Sequence, residues 1–151
     1  MDIKVIAVAI LIPLVGGLLS GFFGMPKNRE WYTKLSKPAW NPPSWVFGPA
    51  WTILYILMGI ASYFVWMQGG RLALIVYAVQ LLVNFAWTPV FFRFRRPDIA
   101  LGLILLLWIL LIWMLFLFKK ASTAAFWLVV PYFAWVSFAT TLNAYIVFKN
   151  Y

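Results

Sequence analysis

The run Ile99-Ala100-Leu101-Gly102-Leu103-Ile104-Leu105-Leu106-Leu107-Trp108-Ile109-Leu110-Leu111-Ile112-Trp113-Met114-Leu115-Phe116-Leu117-Phe118 carries no charged residue and stops at Lys119-Lys120. A helix needs about twenty apolar residues to cross the hydrocarbon of a bilayer, and this run has that length. Backbone amides find no water there, so a spanning segment must be a helix or a strand of a closed barrel. Barrel strands are short and alternate polar with apolar residues; this run does neither. Four more segments qualify: Ile3 to Phe23, Ser44 to Trp66, Leu72 to Phe92 and Ala124 to Phe148. Short polar pieces part the later ones: Gln68-Gly69-Gly70-Arg71, Arg93-Phe94-Arg95-Arg96-Pro97-Asp98 and Lys119-Lys120-Ala121-Ser122. The first segment has a weak basic head, Lys4 beside Asp2, and no A-x-A site after it. It is therefore expected to be a retained helix rather than a cleaved signal peptide.

Composition agrees. Of 151 residues 66% are hydrophobic and 10% charged, with a mean hydropathy of +0.94. A soluble domain carries about a quarter charged residues. The expectation is one all-α membrane domain over residues 1–151, a five-transmembrane-helix bundle with no soluble domain beside it. The net charge of +9 would suit a nucleic-acid partner. Basic residues confined to loops are better read as marks of topology, so no nucleic-acid partner is expected.

One connector is long. Gly24 to Pro43 holds Lys27, Arg29, Glu30, Lys34 and Lys37, with Trp31, Tyr32 and Trp40 among them, and ends in Pro38, Pro42 and Pro43. Proline fixes the backbone and removes a donor, so the stretch is predicted to be a shaped, non-helical connector. Its aromatics fit either an interfacial belt or a lid over a cavity. Five spans put Lys4, Arg71, Lys119 and Lys120 on one side. Lys27, Arg29, Lys34, Lys37, Arg93, Arg95, Arg96 and Lys149 fall on the other. The larger basic share predicts a cytoplasmic C-terminus and an outside N-terminus.

Residue types exclude much chemistry. There is no His and no Cys, hence no imidazole base, no thiolate and no Zn site of the usual kind. Haem iron would lack its two commonest axial ligands. The carboxylates Asp2, Glu30 and Asp98 all lie outside the predicted spans, where a pump or ion-coupled transporter would need them inside. No metal and no required cofactor is expected. What remains is 10 Trp, 14 Phe and 7 Tyr. Trp66, Trp108, Trp113 and Trp127 read as interface belt or lipid packing. Others keep company with polar groups: Gln80, Asn84 and Thr88 recur every four residues with Trp87 beside them. Trp135, Ala139 and Leu142/Asn143 form a second stripe, and Trp51, Thr52 and Tyr55 share one turn. These amides and hydroxyls either bond between helices or line an apolar cavity suited to a flat ligand.

The run Trp31-Tyr32 … Lys37-Pro38-Ala39-Trp40-Asn41-Pro42-Pro43-Ser44-Trp45-Val46-Phe47-Gly48-Pro49-Ala50-Trp51-Thr52-Ile53-Leu54-Tyr55 resembles the hallmark of the TspO/MBR family, the tryptophan-rich sensory proteins and translocator proteins, also known as peripheral-type benzodiazepine receptors. Gln80 to Phe92 is similar to its third helix and Pro131 to Asn143 to its fifth. The resemblance implies a five-helix bundle, often a homodimer, with a lipophilic pocket under the long loop. It implies binding of porphyrins such as protoporphyrin IX, of sterols and of benzodiazepine-type ligands. Carried over by position, the pocket would use Tyr32, Trp40, Pro42, Phe47, Trp51, Asn84, Trp87, Thr88, Trp135, Ala139 and Asn143. A permissive sterol motif would be Leu142, Tyr145 and Lys149. The third span offers no clear Gly-x-x-x-Gly for the dimer contact. Three functions fit: a tetrapyrrole receptor, sensor or carrier, which is the favoured one; light-dependent porphyrin degradation with Trp51 or Trp135 as electron donor; and sterol or lipid transport.

Overall fold

The computed structural model describes residues 2–24 and 30–151. The chain forms α1 (Ile3–Gly24), α2 (Glu30–Lys34), α3 (Phe47–Met67) behind a tight 3-10 turn at Ser44–Val46, α4 (Arg71–Thr88), α5 (Pro97–Ala121) and α6 (Thr123–Asn150), with no strand among the described residues. Five of these helices, taken with their flanking turns, are long and apolar enough to cross a membrane. The ends reach a few residues past the predicted spans because the sequence supplies caps. Pro97 opens α5, where its missing N–H costs nothing, and Asp98 follows in the positive first turn. Ser122 starts α6 by accepting the Ala125 N–H at 3.2 Å.

Two features depart from the sequence reading. The connector after α1 is not wholly non-helical: Glu30 to Lys34 make a helical turn. Pro38, Pro42 and Pro43 all come later, and an acid at the first position with a base four on favours the turn. Residues 25–29, with Lys27 and Arg29, lie outside the described residues, as does Met1. The second feature is at Pro89, where α4 passes into a π-helical turn over Pro89–Arg93. Proline cannot bond back to the carbonyl four residues earlier, here that of Phe85. The Ser20 hydroxyl of α1 takes that carbonyl instead, at 2.6 Å. The π turn closes through Phe94 N–H on Pro89 O and Arg96 N–H on Val90 O, with Arg95 at φ 52° in the position glycine usually fills.

The helices close into a ring in the order α1, α3, α6, α5, α4, and the π turn leads back to α1. The centre is filled by Tyr55, Met58, Leu111, Met114 and Tyr132, among others, all buried. α1 buries only Pro13, Ser20 and Gly24 and turns Val8, Leu11, Ile12, Leu18 and Phe22 outward, as a helix facing lipid does. Its approach to α3 is set by Gly59, where a Cβ would lie 2.6 Å from Ile10 Cα.

Candidate ligand-binding site

Phe47, Trp51 and Tyr55 stand four apart on α3 and so share one face. On α6, Tyr132, Trp135 and Phe138 face them. Trp51 stacks on Tyr55 at 5.6 Å between ring centres and meets Trp135 edge-on at 6.2 Å and Tyr132 at 6.3 Å. Phe47 meets Trp135 at 5.8 Å, and Phe138 packs on its other side at 5.7 Å. The Trp135 indole N–H is buried and has no hydrogen-bond partner among the described residues. Trp135 also walls an open groove of about 440 Å³ between α3 and α6, lined with Ala50, Leu54, Pro131 and Ala134.

Behind the rings runs a chain of polar groups. Tyr55 O–H donates to Asn84 Oδ1 at 2.9 Å, Asn84 Nδ2 to the Tyr132 oxygen at 2.6 Å, and Tyr132 O–H to Gln80 Oε1 at 2.7 Å. All four residues are buried, and Gln80 Nε2 is without a partner among the described residues. Asn84 therefore ties α3, α4 and α6 together, so for this residue interhelical bonding is what the geometry displays. Thr88 does not join it; its methyl group lies against Gly24 of α1.

A second group lies at the end of the bundle. Trp87 Nε1 donates to Asn143 Oδ1 at 2.9 Å, and Asn143 Nδ2 to the Pro97 carbonyl at 2.9 Å. Trp87 packs on Phe91 at 5.1 Å, and Trp31 and Tyr32 of α2 rest on Phe91 at 6.1 and 6.3 Å. Burial pushes the Tyr32 hydroxyl above its ordinary pKa. Trp40 lies further off, edge-on to Tyr145 at 5.6 Å, and Pro42 is half-buried. Ala139 is buried in the core between the groups. Of the sterol-motif residues, Leu142 is buried, Tyr145 half-buried and Lys149 exposed with its ammonium 5.9 Å from the Tyr145 ring. The structure thus joins Phe47, Trp51, Asn84 and Trp135 in one cluster and Tyr32, Trp87 and Asn143 in another.

Two residues central to the first cluster, Tyr55 and Tyr132, were not among the pocket residues carried over by position, although Tyr55 was singled out on one turn with Trp51 and Thr52. Their signal was a hydroxyl far inside an apolar span, which needs a partner on another helix. Trp108 is also corrected. It is no belt residue: its indole donates to Ser137 Oγ at 2.8 Å and stacks on Phe133, joining α5 to α6. Among the described residues no group of three His, Cys, Asp or Glu could hold a metal ion.

The model of the TspO/MBR family matches residues 9–149, from within α1 to within α6. The chain belongs to the TspO/MBR family. Relatives agree along most or all of the chain. The "Tryptophan-rich protein TspO" of Chlorobaculum tepidum is 40% identical, over 99% of each chain. The "Tryptophan-rich sensory protein" of Cereibacter sphaeroides is 45% identical over 78% of this chain and 75% of its own. The human "Translocator protein" is 38% identical over 93% and 86%. This TspO/MBR protein is accordingly an integral membrane protein of several passes, and both aromatic clusters lie inside the matched region.

Proposed function

We propose that this protein is a membrane receptor, sensor or carrier for flat lipophilic ligands, porphyrins of the protoporphyrin IX kind first among them. The observation that carries the reading is the Trp51–Trp135 pair, two indoles 6.2 Å apart and edge-on, with the Trp135 N–H buried and unpaired. A buried unpaired donor costs free energy, which an acceptor on a ligand would recover. Flat rings suit flat ligands. A porphyrin between α3, α4 and α6 takes over the face of Trp51 that now stacks on Tyr55. Its carboxylates stay at the end of the bundle, since burying them unpaired costs several kcal/mol. Lys34 is exposed there, whereas Lys37 is engaged with the Tyr32 and Leu35 carbonyls. Segment 30–43 acts as a lid, and sterols, benzodiazepine-type molecules and a second copy of the chain are further partners within the same reading.

Titration with tetrapyrroles tests it. Free-base protoporphyrin IX is expected to bind with micromolar affinity, about 8 kcal/mol. Inserting iron should change that little, because the chain has no His or Cys for an axial ligand. Tight binding of iron haem with none of the free base would overturn the proposal. A second reading, light-dependent porphyrin degradation, draws on the same pair of indoles, each able to donate an electron to an excited porphyrin. Product formation under light supports it; reversible stoichiometric binding supports the first. Orientation is a separate expectation. Eight basic residues against four place Tyr151 in the cytoplasm and Met1 outside. Reporter fusions at both termini check this, and a cytoplasmic N-terminus would refute it.

A further inference from the structure

Segment 30–43 is held to the last turn of α6 by one side chain. Asn150 Oδ1 accepts the Ser36 N–H at 2.9 Å, and its Nδ2 donates to the Ser36 carbonyl at 3.0 Å and the Ile146 carbonyl at 2.9 Å. A carboxamide offers the same donor and acceptor as a peptide group, so Asn150 pairs with Ser36 as a neighbouring strand would. Close by, Trp40 lies edge-on to Tyr145. At the segment's other end, Trp31 and Tyr32 rest on Phe91 of the π turn. Between the two, Lys37 Nζ gathers the Tyr32 and Leu35 carbonyls at 2.8 and 3.2 Å and lies 4.6 Å from the Tyr32 ring centre. The segment thus bridges the ends of α4 and α6, whose Trp87 and Asn143 are bonded to each other. The aromatic pins are weakly directional, and Trp40 stays 52% exposed. The paired bonds at Asn150 are directional and span 114 positions of chain.

We infer that Asn150 is a positioning residue that clasps segment 30–43 across the end of the bundle and sets the rate at which a ligand exchanges with the interior. The ligand part rests on the proposed binding function; the clasp does not. To open, the segment gives up both bonds to Asn150 and the Trp40–Tyr145 contact, while α2 keeps its internal bonds. Removing the Asn150 amide leaves the aromatic pins in place, so the closed form persists but opens more often. Both rates of ligand exchange then rise together, which a residue serving only helix stability would not produce.

The experiment compares the full-length protein with Asn150→Ala and Asn150→Asp in lipid nanodiscs. Hydrogen exchange without ligand reads the clasp. Losing two hydrogen bonds of ordinary strength should speed exchange across residues 30–43 on the order of tenfold, with the middle of α5 unchanged. Asn150→Asp keeps the acceptor for Ser36 N–H and loses both donations, so it should fall between. Stopped-flow mixing with protoporphyrin IX reads the exchange rate: in Asn150→Ala, association and dissociation should both quicken several-fold, leaving Kd within about twofold. Unchanged hydrogen exchange over 30–43 overturns the clasp, and faster exchange with unchanged porphyrin rates overturns its gating role. Failure of protoporphyrin IX to bind the unaltered protein sinks the ligand reading and the gating with it, while hydrogen exchange still decides the clasp.

Discussion

Gly59→Val is expected to lower the thermal midpoint of the protein by roughly 10 °C, through a loss of about 3 kcal/mol. At this position even a Cβ would lie 2.6 Å from Ile10 Cα and 2.7 Å from the Ala9 carbonyl oxygen. Both are backbone atoms, which no change of rotamer moves aside. α1 and α3 must separate, and in a bilayer close packing of small residues is a main source of helix association. The damage would reach the candidate site, because Gly17 of α1 abuts the Tyr55 ring, and Tyr55 donates to Asn84. Gly102→Ala is the control. Gly102 is exposed on α5 with nothing near its Cβ position, so alanine should be neutral or stabilising by up to about 1 kcal/mol. Thermal unfolding of both variants in one detergent makes the comparison. Equal midpoints would show that the α1–α3 crossing is looser than the distances indicate.

The five long helices could be read from sequence because a long uncharged apolar run has few other solutions in lipid. The parts that escaped reading are those decided by neighbours. α2 is five residues long, too short for periodicity to show, and the prolines after it argued against any helix. The third span was read straight through Pro89, where the helix widens into a π turn and Ser20 of another helix takes the freed carbonyl. Spacing carried Asn84 to the interior, yet it misplaced Thr88. A residue four further on advances by about 400°, so it drifts about 40° per step. From Gln80 to Thr88 the drift is about 80°, enough to turn Thr88 towards α1. Trp51 and Trp135 were picked out by stripe and family resemblance together, and Phe47 by the resemblance alone. Tyr55 was picked out by its turn with Trp51 and Thr52, whereas Tyr132 was not, because a tyrosine in a span resembles a belt residue until the partner of its hydroxyl is seen.

Replacing both Trp51 and Trp135 by alanine is expected to abolish measurable porphyrin binding. Truncating a well-packed aromatic anchor costs on the order of 2 kcal/mol. Two such losses, about 4 kcal/mol, carry a micromolar ligand to about millimolar. The fold should survive. Both residues are half-buried, and the Trp135 N–H gives up no hydrogen bond when removed. Asn84 is left intact on purpose, since its loss would leave the Tyr55 hydroxyl buried without an acceptor and confuse ligand binding with stability. The conservative pair separates wall from chemistry. Trp51→Phe and Trp135→Phe keep a ring in place, so affinity should fall by less than about tenfold. Phenylalanine is a far poorer electron donor than indole, so any light-driven loss of porphyrin should slow in these variants while binding persists. Affinity that stays the same in a folded Trp51→Ala, Trp135→Ala protein would remove both indoles from the site. Affinity lost in the alanine variant and kept in the phenylalanine variants would identify flat apolar contact between α3 and α6 as the basis of recognition.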